Sequence, residues 1–136
     1  MRDLAEWLIR VAADRVAGTY DGANRPMSRF DFLHETAAGV GTDPEFIWVS
    51  DGFLVDEGVR PWMGQRSLPV WLPLPDFAGF MTRDVAPSFQ AGLTCRPLSD
   101  TAREMWAWLR GREPATEPGI SRDDEVALLT KWWSAL

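Results

Sequence analysis

The chain is poor in the residues that carry most enzyme chemistry. Its 136 residues include one cysteine, one histidine, one tyrosine and one lysine. A single cysteine, Cys95, excludes an internal disulfide and suits a reducing cytoplasm. One cysteine and one histidine, His34, are too few soft ligands for a structural zinc site. Positive charge is also scarce: 14 Lys and Arg face 20 Asp and Glu, for a net charge of -6. With no basic stripe, the chain is a poor match for a nucleic-acid backbone. No apolar run approaches the roughly 20 residues that a membrane helix needs. The N-terminus carries Asp3 and Glu6 where a secretory signal would be apolar. These absences predict a cytoplasmic chain with no nucleic-acid partner, no membrane and no metal.

What is present points to a packed fold. Hydrophobic residues make up 46% of the chain, and the length suits one domain over residues 1–136. Eight tryptophans are many for this size. They imply a large aromatic core, an aromatic-lined cleft or a buried interface.

Periodicity and punctuation predict a helix-rich α/β order. The first helix runs from about Asp3 to Val16, with Asp3 as N-cap, Glu6 completing a capping box and Gly18 as the stop. "GTYDGA" reads as a short strand. A second helix starts at Ser28 and ends at the glycines 39 and 41. "EFIWV" reads as a strand. Ser50 caps a short helix that Gly58 stops. "DVAPSFQAGL" is a helical turn with Pro87 near its start. "TCRPL" is extended, and Ser99 caps a strong helix that Gly111 ends. "REPATEP" is a polar link, and Ser121 caps the last helix. Two or three short strands make a poor independent sheet.

Residues 59–79, "VRPWMGQRSLPVWLPLPDFAG", stand apart. Pro61, Pro69, Pro73 and Pro75 break regular elements. Trp62, Met63, Val70, Trp71 and Leu72 make the segment too apolar for a solvated linker. It reads as a long ordered loop, of the kind that carries function or covers a core.

Four stretches in this order resemble the C-terminal part of the extended short-chain dehydrogenase/reductases, the NAD-dependent epimerase/dehydratase family. "RDLAEWLIRVAADRVAGTYDGAN" is similar to a family segment in which a helix leads to a "G-x-Y/F-N-x-x-G" strand. "MSRFDFLHETAAGVGTDPEFIWVSD" is similar to the helix and strand that follow. "TRDVAPSFQAGLTCRPLSDTAREMWAWLR" resembles the family ending "D-x-S-K-A-x-x-x-L-G-W-x-P … L-x-x-T-x-x-W". "GISRDDEVALLTKWW" resembles the tail of a bacterial branch. Together they cover most of the chain except the Trp/Pro loop.

The resemblance implies a substrate-binding lobe of a Rossmann-type NAD(P)-dependent protein, with the nucleotide-binding half absent. The chain has no Gly-x-Gly-x-x-Gly loop between a strand and a helix, so nothing in it cradles a pyrophosphate. The family's Tyr-x-x-x-Lys pair is missing too, because Tyr20 and Lys131 lie at opposite ends of the chain. Catalytic and cofactor-binding residues are therefore expected to be none. NAD or NADP is implied only for a full-length relative. By position, Arg2 and Asp3 match family residues near the substrate cleft, against a plainer reading of Asp3 as a cap. The family places a variable loop over the substrate. Trp62, Met63, Trp71 and Phe80 would there line an apolar pocket, or else seal the core. Arg60 and Arg66 would meet an anionic group, or else be surface charges. His34, Cys95 and the acidic run at 123–125 read as ordinary helix, packing and helix-dipole residues. The expected partners are a nucleotide-binding half or a second copy, with a small-molecule substrate in the intact relative. The rival reading is a standalone small-ligand or protein-interaction module built on the Trp-rich loop.

Overall fold

A computed structural model describes residues 2–112 and 119–136. Its helices are α1 (Arg2–Ala13), α2 (Arg29–Val40), α3 (Asp51–Asp56), α4 (Ala86–Gln90), α5 (Leu98–Leu109) and α6 (Arg122–Ser134). Two strands of two residues each, β1 (Arg60–Pro61) and β2 (Ser67–Leu68), pair in parallel, with Arg60 opposite Ser67 and Pro61 opposite Leu68. The fold is thus mixed and helix-rich, with few and short strands. No helix among the described residues is long and apolar enough to cross a membrane.

The chain forms two compact units. One comprises residues 1–43 and 79–111, and the other residues 44–78 and 112–136. The polar link predicted at 112–118 lies, from residue 113 on, outside the described residues.

The helix starts follow the serine caps. Ser28, Ser50 and Ser121 each accept a hydrogen bond from the backbone N–H three residues on, satisfying a donor that the first turn leaves open. Gly41, at φ 76°, closes α2. There the Thr42 N–H bonds the Ala37 carbonyl and the Gly41 N–H that of Ala38, the double bond of a Schellman end.

Other boundaries differ from expectation. Helix α1 ends at Ala13, before Gly18, because Arg15 itself takes the left-handed conformation at φ 54°. The same paired closure results, from Val16 N–H to Val11 and from Arg15 N–H to Ala12. Asp3 does not cap α1. It lies inside the helix, and its carboxylate is taken by Arg96. Ser99 does not cap α5 either. The helix starts at Leu98 after Pro97, and the Leu98 N–H donates to Glu35 Oε2 on α2 at 3.1 Å. A side chain distant in sequence thus does the work of a cap.

The two predicted strands are irregular chain. A strand needs a second strand alongside, and neither "GTYDGA" nor "EFIWV" pairs with one among the described residues. Tyr20 instead sets its ring edge-on to Trp7 at 5.7 Å, and the Asp21 carbonyl accepts from the buried Ser88 hydroxyl at 2.6 Å. The regular pairing that does form lies inside the Trp/Pro loop.

In the first unit, α2 and α5 pack at Gly39. A Cβ there would lie 2.3 Å from the Ser99 carbonyl oxygen and 2.8 Å from the Ala102 Cβ, so only glycine permits this approach. Trp7 is 3% exposed, and its indole N–H donates to the Ala91 carbonyl at 2.8 Å. In the second unit, Leu54, Val59, Trp71 and Leu128 form a core, with Val49, Phe53, Leu68 and Ile120 packed on it.

Candidate functional site

The Trp/Pro loop is built around Trp71. This residue is 1% exposed, in the centre of its unit's core. Burying an indole requires a partner for its N–H. Asp51, at the start of α3, supplies it: Oδ1 accepts from Trp71 Nε1 at 2.7 Å, and Oδ2 accepts from the Leu74 N–H at 3.0 Å. One carboxylate therefore anchors both the indole and the chain beyond it. The Trp71 carbonyl in turn accepts from the Trp62 N–H at 3.2 Å.

Trp62 and Met63 form the tip of this loop, at 44% and 67% exposure. The tip turns through left-handed backbone at Trp62 (φ 69°), Gly64 (φ 102°) and Arg66 (φ 53°). Arg66 is half-buried. Its Nε donates to Asp124 Oδ1 on α6 at 3.2 Å, and its Nη1 donates to the Glu57 carbonyl at 2.5 Å. Lys131 pairs with the Glu57 carboxylate. Of the residues predicted to meet a ligand, the loop thus brings Arg60, Trp62, Met63, Arg66 and Trp71 together in one unit. Trp71 serves the core there, Arg66 is engaged internally, and Arg60, Trp62 and Met63 face solvent.

Arg2, Asp3 and Phe80 belong to the other unit. Arg2 pairs with Glu104 at 3.0 Å. Asp3 accepts from the Arg96 N–H at 3.2 Å and from its Nε at 2.9 Å, and Arg96 also meets Glu104 at 2.7 Å. Burial alone would lower the Arg96 pKa. The Glu104 hydrogen bond and the charges of Asp3 and Glu104 outweigh it and hold the guanidinium above its usual value. Beside it, burial first and the Asp3 charge second raise the Cys95 thiol above its ordinary 9.0. A thiol shifted upward is a poor nucleophile at neutral pH. His34 bonds the Phe30 carbonyl at 2.8 Å and stacks on the Phe30 ring. Phe80 is exposed beside an open depression of about 540 Å³ lined also by Gly79, Thr82 and Arg83. Arg83 there pairs with Asp21 at 3.6 Å. Among the described residues, no group of three or more His, Cys, Asp or Glu is placed to hold a metal ion.

Sequence reasoning missed Asp51, Glu35 and Arg96. Each acts on a residue distant in the chain, and no local spacing marks it. Asp124 carried a signal, as an acid in a helix's first turn, but its bond to Arg66 did not. No family model, curated protein or solved structure matches the chain.

Proposed function

We propose that this chain is a substrate-binding lobe of the extended short-chain dehydrogenase/reductase type, working beside a nucleotide-binding half and not catalytic by itself. The four sequence stretches described above support the assignment. The structural observation that carries the dependence on a partner is α5. This amphipathic helix of 12 residues packs on α2 at Gly39 through its first turns, yet none of its residues is fully buried. Met105 and Leu109 stand 52% and 43% exposed on it. A helix this short is marginal on its own propensity and depends on an apolar face being covered. In this reading the intact protein uses NAD or NADP to oxidise, reduce or epimerise a small hydroxyl- or carbonyl-bearing substrate. The nucleotide loop and the Tyr-x-x-x-Lys pair come from the other half. Arg60, Trp62, Met63 and Phe80 are then the exposed residues that would contact substrate or partner, while Arg2 and Asp3 are engaged with Glu104 and Arg96.

Translating the reading frame upstream of the Met1 codon, together with the neighbouring genes, tests this. A glycine-rich nucleotide loop and a Tyr-x-x-x-Lys pair encoded there are the expected result. Their absence from both overturns the reading.

A second reading has its own observation. Trp71 and Asp51 hold the Trp62–Met63 tip from behind and leave its side chains facing solvent. An exposed indole and thioether on a held loop suit a standalone interaction module. Its mark is a stable monomer in size-exclusion chromatography with no nucleotide-binding half encoded nearby.

A further inference from the structure

The tip of the Trp/Pro loop holds a conformation that its residues do not favour. For a non-glycine residue, left-handed backbone brings Cβ against the carbonyl oxygen and costs free energy at each position. Trp62 and Arg66 both adopt it, at the two ends of a five-residue turn. Such strain persists only where the surroundings over-determine it. At Arg66 they do. The Arg66 carbonyl accepts from the Arg60 N–H at 2.9 Å. The guanidinium donates to Asp124 at the start of α6 and to the Glu57 carbonyl at the end of α3. The next residue, Ser67, is fully buried, and its hydroxyl donates to the Gly64 carbonyl at 2.7 Å.

We infer that Arg66 is a latch that holds the Trp62–Met63 tip in its presented conformation. The fork of the guanidinium suits the task, since one side chain meets two acceptors on two different helices. The latch is conditional. Its side chain and that of Asp124 are 37% and 39% exposed, so water and salt compete for their pair. With the latch broken, the tip relaxes out of the left-handed region. The Trp62 N–H then loses its bond to Trp71, while Trp71 stays in the core. Arg66 is in this sense a positioning residue. It sets whether the exposed indole and thioether are presented, whatever they contact. The inference stands independently of the proposed function.

Amide hydrogen exchange on the full chain tests it with three variants. Arg66→Ala breaks the latch and keeps the backbone cost. Arg66→Gly breaks the latch and removes the cost at that position. Asp124→Asn weakens one arm and keeps its shape. The expected result is that Arg66→Ala lowers protection of the Trp62 amide roughly fivefold or more beyond Arg66→Gly. Asp124→Asn lowers it less, and more so at high salt. The amides of α3 and α6, and the urea midpoint, stay close to wild type. Equal protection in the alanine and glycine variants overturns the inference, because no strain is then held at residue 66. A parallel loss across the whole unit also overturns it, because Arg66 is then a staple of the fold rather than a latch of the tip. Unchanged Trp62 protection in all three does the same.

Discussion

Each of the two units of this protein draws on different internal interactions. The described residues of the second unit close around an apolar core of Leu54, Val59, Trp71 and Leu128. Residues 1–43 and 79–111 rely more on polar links over long sequence distance. Trp7 and Arg10 donate to the carbonyls that end α4, Glu35 caps α5, and Arg96 ties Asp3 to Glu104. The first unit's helix α5 leaves Met105, Trp106, Trp108 and Leu109 exposed, while the second unit buries Trp71 to 1% exposure. The comparison teaches that the proline-rich segment, with only two short strands of its own, still supplies the buried centre of its unit. A fixed backbone and a buried indole replace regular secondary structure as the source of order.

The comparison is most sharply tested at Trp71. Trp71→Ala is expected to destabilise the second unit by about 3–5 kcal/mol, through lost transfer free energy and a cavity. Hydrogen exchange at α2 and α5 should then stay near wild type. Loss of protection in both units together would show that they melt as one. Next is Gly39→Ala in the first unit. The added methyl meets a backbone carbonyl that cannot swing away, which costs about 1–3 kcal/mol, partly offset by the better helix propensity of alanine. A thermal melt that rises instead would mean that the two helices separate freely. Glu35→Ala removes the acceptor for the Leu98 N–H and is expected to cost about 1 kcal/mol, the usual value of a lost cap, read from the urea midpoint. An unchanged midpoint would remove α5 from the set of elements held by polar links.

The smallest effect concerns pH. The Cys95 thiol is raised above 9.0 in the folded chain by burial and by Asp3, so the unfolded chain ionises first. Its contribution to stability is full below pH 9, and it is lost as pH rises from there through the raised folded value. Cys95→Ala should flatten that part of the stability curve. Alkylation of Cys95 by iodoacetamide at pH 7.5 should be slower than that of a free thiol, and urea should abolish the difference. An alkylation rate equal to that of the free thiol would place Cys95 in water.

Local chemistry made several elements legible. The caps at Ser28, Ser50 and Ser121 and the stop at Gly41 need only neighbours within a few residues, and the structure has them. The loop between Val59 and Gly79 was legible as ordered because its apolar content excluded a linker. The strands were not legible, because β-rich runs such as "EFIWV" form strands only where a partner lies alongside. Asp3 and Ser99 misled for the same reason. Their residue type suits a cap, but Arg96 and Glu35, both remote in sequence, altered their roles.

By itself, the sequence determined where α2, α3 and α6 begin and that Gly41 ends α2, and it holds neither a Gly-x-Gly-x-x-Gly loop nor a Tyr-x-x-x-Lys pair. Those depend on residue type and short spacing. Only the tertiary structure decided that Trp71 is core while Trp62 is surface, although both are tryptophans of one loop. Burial depends on which donors and acceptors meet across the chain, and Asp51 reaches Trp71 from 20 residues away.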